Sequence, residues 1–114
     1  MQRAATAVLA QQRTDGGWAQ LSTRTSDAYA TGEALIALHR AGVLTPQDSA
    51  YQRGVRYLLS SQQADGSWHV ETRAYPFQPL IDTTYPHGRD QWISAAGTSY
   101  ALMALMLTVE PRAN

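Results

Sequence analysis

A seven-residue segment that occurs twice constrains this chain more than any other feature of its sequence. Residues 12–18 read Gln-Arg-Thr-Asp-Gly-Gly-Trp and residues 62–68 read Gln-Gln-Ala-Asp-Gly-Ser-Trp, so Gln, Asp, Gly and Trp recur at the same spacing. Each copy follows a stretch of helical periodicity, and its glycine can adopt the positive φ with which many helices end. Two copies of one supersecondary unit indicate a repeat protein.

The composition excludes several classes of protein and of site. A chain of 114 residues, of which 44% are hydrophobic, is long enough for one globular domain or for a piece of a larger one. Its formal net charge is zero, and its nine basic residues are all arginines scattered along the sequence. We therefore expect no nucleic-acid partner, since phosphate binding needs a basic patch. The absence of cysteine excludes disulfides, thiolate nucleophiles and cysteine-ligated zinc.

The apolar segments that could direct the chain to a membrane are short. Residues 1–12 lack the long apolar core of a signal peptide, so none is expected in this chain. The longest apolar run, residues 100–109, is too short to span a bilayer. We expect no transmembrane segment and leave peripheral contact with a membrane open. Cytoplasm and periplasm are both compatible with the sequence.

Hydrophobic periodicity predicts a first helix over residues 3–12 and a second over residues 28–41. Ser26 or Asp27 is the expected N-cap of the second helix, because short polar side chains accept hydrogen bonds from the first free amides. The centre of this helix, residues 34–38, is apolar on all sides. That pattern predicts burial on more than one face.

A third helix is predicted over residues 45–62, with Thr45 as its N-cap and Pro46 at its first helical position. The pattern is amphipathic and predicts a buried stripe formed by Tyr51, Val55, Leu58, Leu59 and Gln62. A fourth helix is predicted over residues 94–109 and is apolar nearly all round. We expect its methionine and leucine side chains to belong to the core rather than to a cofactor site.

The second and fourth helices match each other at an offset of 67 residues rather than 50. The matching residues are Thr31, Ala34, Leu35, Ala37 and Leu38, paired with Thr98, Ala101, Leu102, Ala104 and Leu105. We predict two helical hairpins, repeat 1 over about residues 1–44 and repeat 2 over about residues 45–109, with a 17-residue insertion placed within residues 69–92. Alternation of one-sided and all-round apolar helices predicts an outer layer facing water and an inner layer facing a centre.

The repeat resembles the QW motif of squalene-hopene and oxidosqualene cyclases. Repeat 2 carries it through Arg53-Gly54, Tyr57-Leu58, Gln62, Gly66 and Trp68. Repeat 1 is a weaker copy, with Ala7 at the aromatic position and the matches Arg3-Ala4, Val8, Gln12, Gly16 and Trp18. The segment 98–105 is similar to the inner helix that follows the last QW motifs of these cyclases. The resemblance covers the chain except the insertion, and it extends to bacterial squalene-cyclase-repeat proteins of the terpenoid cyclase and protein prenyltransferase superfamily.

The resemblance implies an all-α fold of the α/α toroid type, in which helical hairpins surround a central cavity as in an α6/α6 barrel. In that family the glutamine amide packs on the tryptophan ring and ties the outer helices together. The motif residues would then be structural: Gln12, Gly16, Trp18, Gln62, Gly66 and Trp68. The implied ligand is an isoprenoid or another lipid-like molecule. Cyclase catalysis is not expected from this chain alone, because the acidic Asp-x-Asp-Asp motif of the family is absent, and no catalytic residue is assigned.

Two hairpins are too few to close a ring. We therefore expect either a single domain that assembles with other copies or a C-terminal part of a larger toroid, since unpaired repeat ends expose apolar faces. Besides the lipid-binding domain, two functions stay open: a non-catalytic repeat module for protein assembly, and a sugar hydrolase or lyase of the α/α-barrel type. The hydrolase would need paired carboxylates, for which Asp27, Asp82 and Asp90 are the candidates.

The insertion is the candidate ligand site, because only there does the chain depart from the repeat. Its segment 87–90, His-Gly-Arg-Asp, precedes the fourth helix, whose N-terminal amides favour an anion. Either His87 exchanges protons with a ligand, or Asp90 caps the helix while Arg89 pairs with a carboxylate. The other candidate pocket residues are His69, Tyr75, Phe77, Asp82, Tyr85, Trp92 and Asp27. No cofactor and no metal are expected, because no His-x-x-x-His or Glu-x-x-His spacing occurs.

Overall fold

The computed structural model describes residues 2–21, 23–70 and 91–109. These residues contain no strand and four helices: α1 (Gln2–Ala10), α2 (Ala28–Arg40), α3 (Ser49–Ser61) and α4 (Gln91–Met106). The predicted all-α fold of about four helices is confirmed. An isolated antiparallel bridge between the backbones of Trp18 and Asp27 joins the middle of the loop from α1 to α2 to the end of that loop.

α1 ends two residues earlier than predicted because its last turn tightens. The amides of Gln11 and Gln12 donate to the carbonyls of Val8 and Leu9 at 3.0 and 3.1 Å, three residues back instead of four. Such a turn of the 3₁₀ type is common where an α-helix ends. It delivers the chain directly into the first repeated segment.

α2 begins after the second of the two predicted N-caps. Asp27 has an extended backbone with φ −146°, and its side chain accepts a hydrogen bond from the Ala30 amide at 2.7 Å. This bond satisfies one of the amides that a helix N-terminus leaves without a helical partner. At the other end Arg40 is the last helical residue, one residue before the predicted end, and Gly42 follows with φ +76°.

The structure corrects the predicted start of α3. Thr45 is not the N-cap and Pro46 is not helical, because residues 45–48 form a turn in which the Asp48 amide donates to the Thr45 carbonyl at 3.0 Å. The Asp48 carboxylate accepts from the Thr45 amide at 2.8 Å, so this side chain stabilises the turn. α3 therefore starts at Ser49 without a side-chain hydrogen bond from its N-cap.

α4 is displaced by one turn toward the insertion relative to the prediction. It runs from Gln91 to Met106, three residues earlier at both ends. Residues 107–109 continue as a turn, in which the Thr108 amide donates to the Leu105 carbonyl at 3.0 Å. The apolar pattern extends past the helix because turn residues also pack against the core, as Leu107 does.

α2 and α4 form the inner pair of helices. Their backbones approach so closely that a Cβ atom on Gly32 would lie 2.6 Å from the carbonyl carbon of Tyr100. Only glycine allows that approach. Tyr29 packs edge to face on Tyr100 with 5.3 Å between the ring centroids. α1 packs against α2, and α3 contacts both α2 and α4.

The core lies between the inner pair and the two outer helices. Its largest fully buried side chains are Trp68, Tyr51, Leu35, Leu38 and Leu58. The Tyr51 hydroxyl donates to the Ala104 carbonyl at 2.6 Å, which joins α3 to α4. Within the described ranges, every buried side-chain nitrogen and oxygen has a hydrogen-bond partner. The core therefore carries no uncompensated polar atom there.

The structure also corrects several predicted core positions. Of the stripe predicted on α3, Leu59 is 56% exposed and Gln62 is exposed. Met103 and Met106 of α4 are exposed rather than buried in the core. Ala37 is exposed, although the centre of α2 is apolar on all sides. Apart from Gln62, these side chains are apolar and are not covered by the described part of the chain, which makes them candidates for contact with another surface.

Candidate functional site

The two repeated segments have the same hydrogen-bonded structure, and we call them clasp 1 (residues 12–18) and clasp 2 (residues 62–68). In each clasp the glutamine side chain donates to the glycine carbonyl four residues on. Gln12 reaches Gly16 at 3.0 Å, and Gln62 reaches Gly66 at 2.8 Å. Both glycines have φ +89°. The two segments therefore fold as copies of one turn.

Clasp 1 fastens its tryptophan to both helices of its own hairpin. Trp18 Nε1 donates to the Val8 carbonyl of α1 at 2.7 Å. The Trp18 backbone amide donates to Thr31 Oγ1 of α2 at 2.9 Å. A buried indole N–H needs a hydrogen-bond partner, and here the partner is a carbonyl near the end of the outer helix α1.

Clasp 2 makes the same two bonds in repeat 2. Trp68 Nε1 donates to the Leu58 carbonyl at 2.8 Å, and the Trp68 amide donates to Thr98 Oγ1 at 3.0 Å. The functional importance of this threonine was not predicted from the sequence. The signal was present, because Thr31 and Thr98 occupy matching positions at the offset of 67 residues.

Clasp 1 contacts repeat 2, whereas no described residue covers the equivalent side of clasp 2. Gln12 Nε2 also donates to the Ala50 carbonyl at 2.8 Å, and Arg53 donates to Gln12 Oε1 at 2.8 Å. A Cβ atom on Gly16 would lie 2.3 Å from the Arg53 carbonyl oxygen, while one on Gly66 would meet nothing within 4 Å. Clasp 1 ties α1 to α3, and clasp 2 leaves the equivalent surface uncovered by the described residues.

Repeat 2 ends in an apolar surface that we call the C-terminal face. It consists of Leu59, Gln62, Gly66, Leu102, Met103 and Met106. In repeat 1, the equivalent residues Gln12, Gly16 and Leu35 contact repeat 2. Leu35 is 0% exposed where Leu102 is 45% exposed, and Ile36 is 6% exposed where Met103 is 43% exposed. The same position in the repeat is thus buried where a following hairpin packs on it and open where none does.

Repeat 1 begins with the complementary open surface, a cavity of about 400 Å³ between α1, clasp 1 and α2 that we call the N-terminal groove. Its lining residues include Val8, Trp18, Tyr29, Ala30, Glu33, Ala34 and Ala37. Three of the helical residues that line this groove, Ala30, Ala34 and Ala37, are small. In repeat 2 the equivalent small residues, Gly97, Ala101 and Ala104, are all buried. Ala37 is exposed where Ala104 is fully buried.

A second concavity, of about 310 Å³, lies between the repeats, and we call it the polar cleft. It brings together two of the predicted site residues, Asp27 and His69, with Arg24 and Tyr57. Asp27 caps α2 and also accepts a hydrogen bond from Gln20 Nε2 at 2.7 Å. Its carboxylate therefore has a structural role in this cleft.

Tyr57 is a half-buried titratable group of the polar cleft. Its hydroxyl donates to the Ser26 carbonyl at 2.7 Å and so joins α3 to repeat 1. Burial raises the pKa of Tyr57 to about 12, and the carboxylates of Asp15 and Asp27 add to the rise. The phenol is therefore protonated near neutral pH and acts there as a hydrogen-bond donor.

The remaining predicted site residues lie outside the described part of the chain. These are Tyr75, Phe77, Asp82, Tyr85, His87, Arg89 and Asp90. Trp92 belongs to the first turn of α4, and its side chain is also outside the described set. Of the three carboxylates predicted for a hydrolase, the structure therefore places Asp27 alone.

Two kinds of site are absent from the described residues. No group of three or more His, Cys, Asp or Glu side chains in residues 2–21, 23–70 and 91–109 could hold a metal ion. None of the four helices there is long and apolar enough to cross a membrane. Concave surfaces on this part of the chain include the N-terminal groove, the polar cleft and the loop surface beside clasp 1.

The chain was compared with protein families, with curated proteins and with solved structures, and none of the three comparisons gives a match. The features of the described residues that bear on function are the two clasps, the C-terminal face and the N-terminal groove.

Proposed function

We propose that this chain is a helical-hairpin repeat module whose function is to pack against further hairpins of its own kind through the C-terminal face and the N-terminal groove. A single observation carries the proposal: Leu35 is fully buried and Leu102, at the same position of the next repeat, is not. Repeat proteins are stabilised by contacts between neighbouring units, so an exposed apolar face at the equivalent position of a repeat is a surface for another unit. The arc of hairpins that results is of the α/α toroid type.

The contact between the two repeats shows what such packing uses. Leu35 fills the space beside Gly54, where a Cβ atom would lie 2.9 Å from its Cδ1. Clasp 1 adds hydrogen bonds to Ala50 and Arg53 of the following outer helix. The same leucine at Leu102 and the same clasp at residues 62–68 are available to a further hairpin.

The experiment is to lengthen the chain by one repeat. Residues 45–111 are appended after Pro111, which preserves the offset of 67 residues between Leu44 and Pro111. We expect one cooperative unfolding transition in urea with a higher midpoint than the parent chain, because one interface between neighbours has been added. A matched extended chain with Leu102→Glu at the new interface should lose that gain. An extended chain whose midpoint equals that of the parent would refute the proposal.

A second candidate function is binding of an isoprenoid or another lipid-like molecule, as the squalene-cyclase-like pattern of the clasps implies. What favours it is the N-terminal groove, whose volume of about 400 Å³ and whose lining by Val8, Trp18 and Tyr29 suit an apolar chain. Aromatic rings also attract a cationic centre. The chain would then bind such a molecule without cyclising it, because the acidic motif is absent.

Calorimetric titration with farnesol tests this second function. We expect saturable binding that is lost in Ala37→Arg, which fills the groove, and retained in Ser60→Arg, a change on the exposed side of α3. Equal heats for both variants would exclude the groove as the site. Incubation with squalene should give no cyclised product, and detection of one would show that the chain supplies an acid of its own.

A further inference from the structure

We propose, building on the repeat-module function, that the partner of each open surface is a second copy of this chain, bound head to tail. The C-terminal face of one copy occupies the N-terminal groove of the next. In this contact, α4 of one copy packs against α2 of the next copy, as α2 packs against α4 within a single copy. The C-terminal face and the N-terminal groove are both present on the same chain, and its described residues cover neither of them. A second copy of the chain therefore carries the surface that each of them needs.

The C-terminal face supplies the large side chains of the interface. Within one copy, α2 presents Leu35 and Ile36 to repeat 2, and both are buried there. At the equivalent positions α4 presents Leu102 and Met103, which keep the apolar character and similar size. Packing tolerates such replacements when volume and polarity are preserved.

The N-terminal groove supplies the small side chains. Within one copy, α4 presents Gly97, Ala101 and Ala104 to α2, and all three are buried. The groove has Ala30, Ala34 and Ala37 at the equivalent positions. Large residues on one surface and small residues on the other are the complementary shapes that helix packing requires.

One position makes the contact between copies looser than the contact within a copy. Gly32 allows the close approach of α2 to the backbone of Tyr100. Its equivalent on α4, next to the C-terminal face, is Ser99, whose side chain would hold the helix of a second copy farther away. Flexible methionines such as Met103 can fill the wider gap. We therefore expect association to be weaker than folding and to depend on concentration.

Charge does not oppose the association. The residues of the C-terminal face carry no charge, and of the residues lining the N-terminal groove only Glu33 is charged. No pair of like charges is therefore brought together, a juxtaposition that would disfavour docking. Because the two surfaces differ, the contact is heterologous, and successive copies form a closed ring if the rotation closes and an open chain if it does not.

The first measurement is the mass of the wild-type chain by light scattering as a function of concentration. We expect a mass that rises above the 12.5 kDa of a single copy and, at the highest concentrations, passes that of a dimer. A single-copy mass at every concentration up to about 1 mM, a concentration at which even weak specific contacts are half formed, would overturn the proposal.

The second measurement uses two variants that each block one surface. Leu102→Glu places a charge on the C-terminal face, and Ala37→Arg fills the N-terminal groove while pairing with Glu33 one turn earlier. Each variant alone should remain a single copy. Mixed together they should form a one-to-one pair and nothing larger, because each retains the surface that the other has lost. Absence of that pair would overturn head-to-tail binding.

Ser60→Glu, a charge on the exposed side of α3, is the matched control and should associate like the wild type. Thermal unfolding confirms that each variant is folded, and Met103→Glu replaces Leu102→Glu if that variant is not. The two proposals fail separately. A single-copy wild type combined with a stabilised lengthened chain would remove the second copy as partner and leave the repeat-module function intact. Failure of the lengthened chain would remove both.

Discussion

At the scale of single residues, each clasp depends on a tryptophan that is bonded at both of its nitrogen atoms. In repeat 2, Trp68 is 1% exposed and bonds through its indole to Leu58 and through its amide to Thr98. The ring fills the space between the helices of the hairpin while the two bonds set its position. The tryptophan is therefore the structural anchor of the repeat.

Trp68→Ala should destabilise the chain by about 3–5 kcal/mol, the usual range for a buried aromatic residue cut back to alanine. The reason is the loss of buried apolar area together with the cavity that remains. Trp68→Phe should cost less, because most of the volume is retained and one hydrogen bond is lost. Urea unfolding followed by circular dichroism measures both. A cost below about 1 kcal/mol for the alanine variant would contradict the anchoring role.

Two tyrosines make the fold sensitive to alkali. Burial raises the pKa of Tyr51 to about 12, and burial followed by Asp15 and Asp27 raises that of Tyr57 to about 12. Between the unfolded pKa of about 10 and these values, the unfolded chain loses the phenolic protons and the folded chain keeps them. The stabilisation is thus fully present below about pH 10 and lost as pH rises toward 12.

We expect the urea midpoint to fall steeply between about pH 10 and pH 12, and to fall less in Tyr57→Phe, which has no phenol to ionise. Unfolding curves at successive pH values, with tyrosinate absorbance recorded in parallel, check this. The same slope for Tyr57→Phe and the wild type would show that Tyr57 does not contribute.

At the scale of elements, the two clasps are the same turn in two environments. Clasp 1 packs against α3, since a Cβ atom on Gly16 would meet the Arg53 carbonyl. A Cβ atom on Gly66 of clasp 2 would meet no described residue within 4 Å. Their backbone conformation is identical, with φ +89° at both glycines. Any difference between matched substitutions in the clasps therefore measures the contact between hairpins rather than the turn.

Gly16→Ala should cost about 1–3 kcal/mol more than Gly66→Ala. Both variants force a side chain into a left-handed conformation, at about 1–2 kcal/mol each. Gly16→Ala alone also drives a Cβ atom into the backbone of α3, an overpacking of about 1–3 kcal/mol. Urea unfolding of both variants measures the difference between their free energies of unfolding. Equal costs would mean that clasp 1 does not pack against α3.

At the scale of the whole molecule, the hairpins share one core. Repeat 2 buries Leu35 of repeat 1, and Tyr57 of repeat 2 donates a hydrogen bond to the Ser26 carbonyl of repeat 1. Short helices are marginal in water by themselves and gain their stability from tertiary packing. Neither hairpin therefore has enough buried surface to be an independent unit, which is the general behaviour of repeat proteins.

The intact chain should unfold in one transition, and peptides of residues 1–44 and 45–109 should each show little helix. Circular dichroism of the two peptides, separately and mixed, measures this. Mixing should restore helical signal where the concentration permits pairing. If the separate peptides together give the full signal of the intact chain, the hairpins fold independently and the shared core is not required.

The sequence by itself determined the two clasps, the four helices and an N-cap at Ser26 or Asp27, because each depends on residues close together in the chain. The structure selects Asp27. Spacing of Gln, Gly and Trp specifies a turn, and apolar periodicity specifies a helix. The start of α3 was misplaced because Asp48 bonds back to Thr45, a competition between two local structures that composition does not resolve.

Only the tertiary structure decided which apolar residues are core and which are open surface. Leu35 and Leu102 are the same residue at the same position of the same repeat, yet one is fully buried and the other 45% exposed. The same contrast separates Ala104 from Ala37. Burial is a property of the neighbours that pack on a side chain, and local sequence does not record whether a neighbouring hairpin is present. For that reason the C-terminal face and the N-terminal groove, on which the proposed function depends, are identified from the tertiary structure and not from the hydrophobic pattern of the sequence.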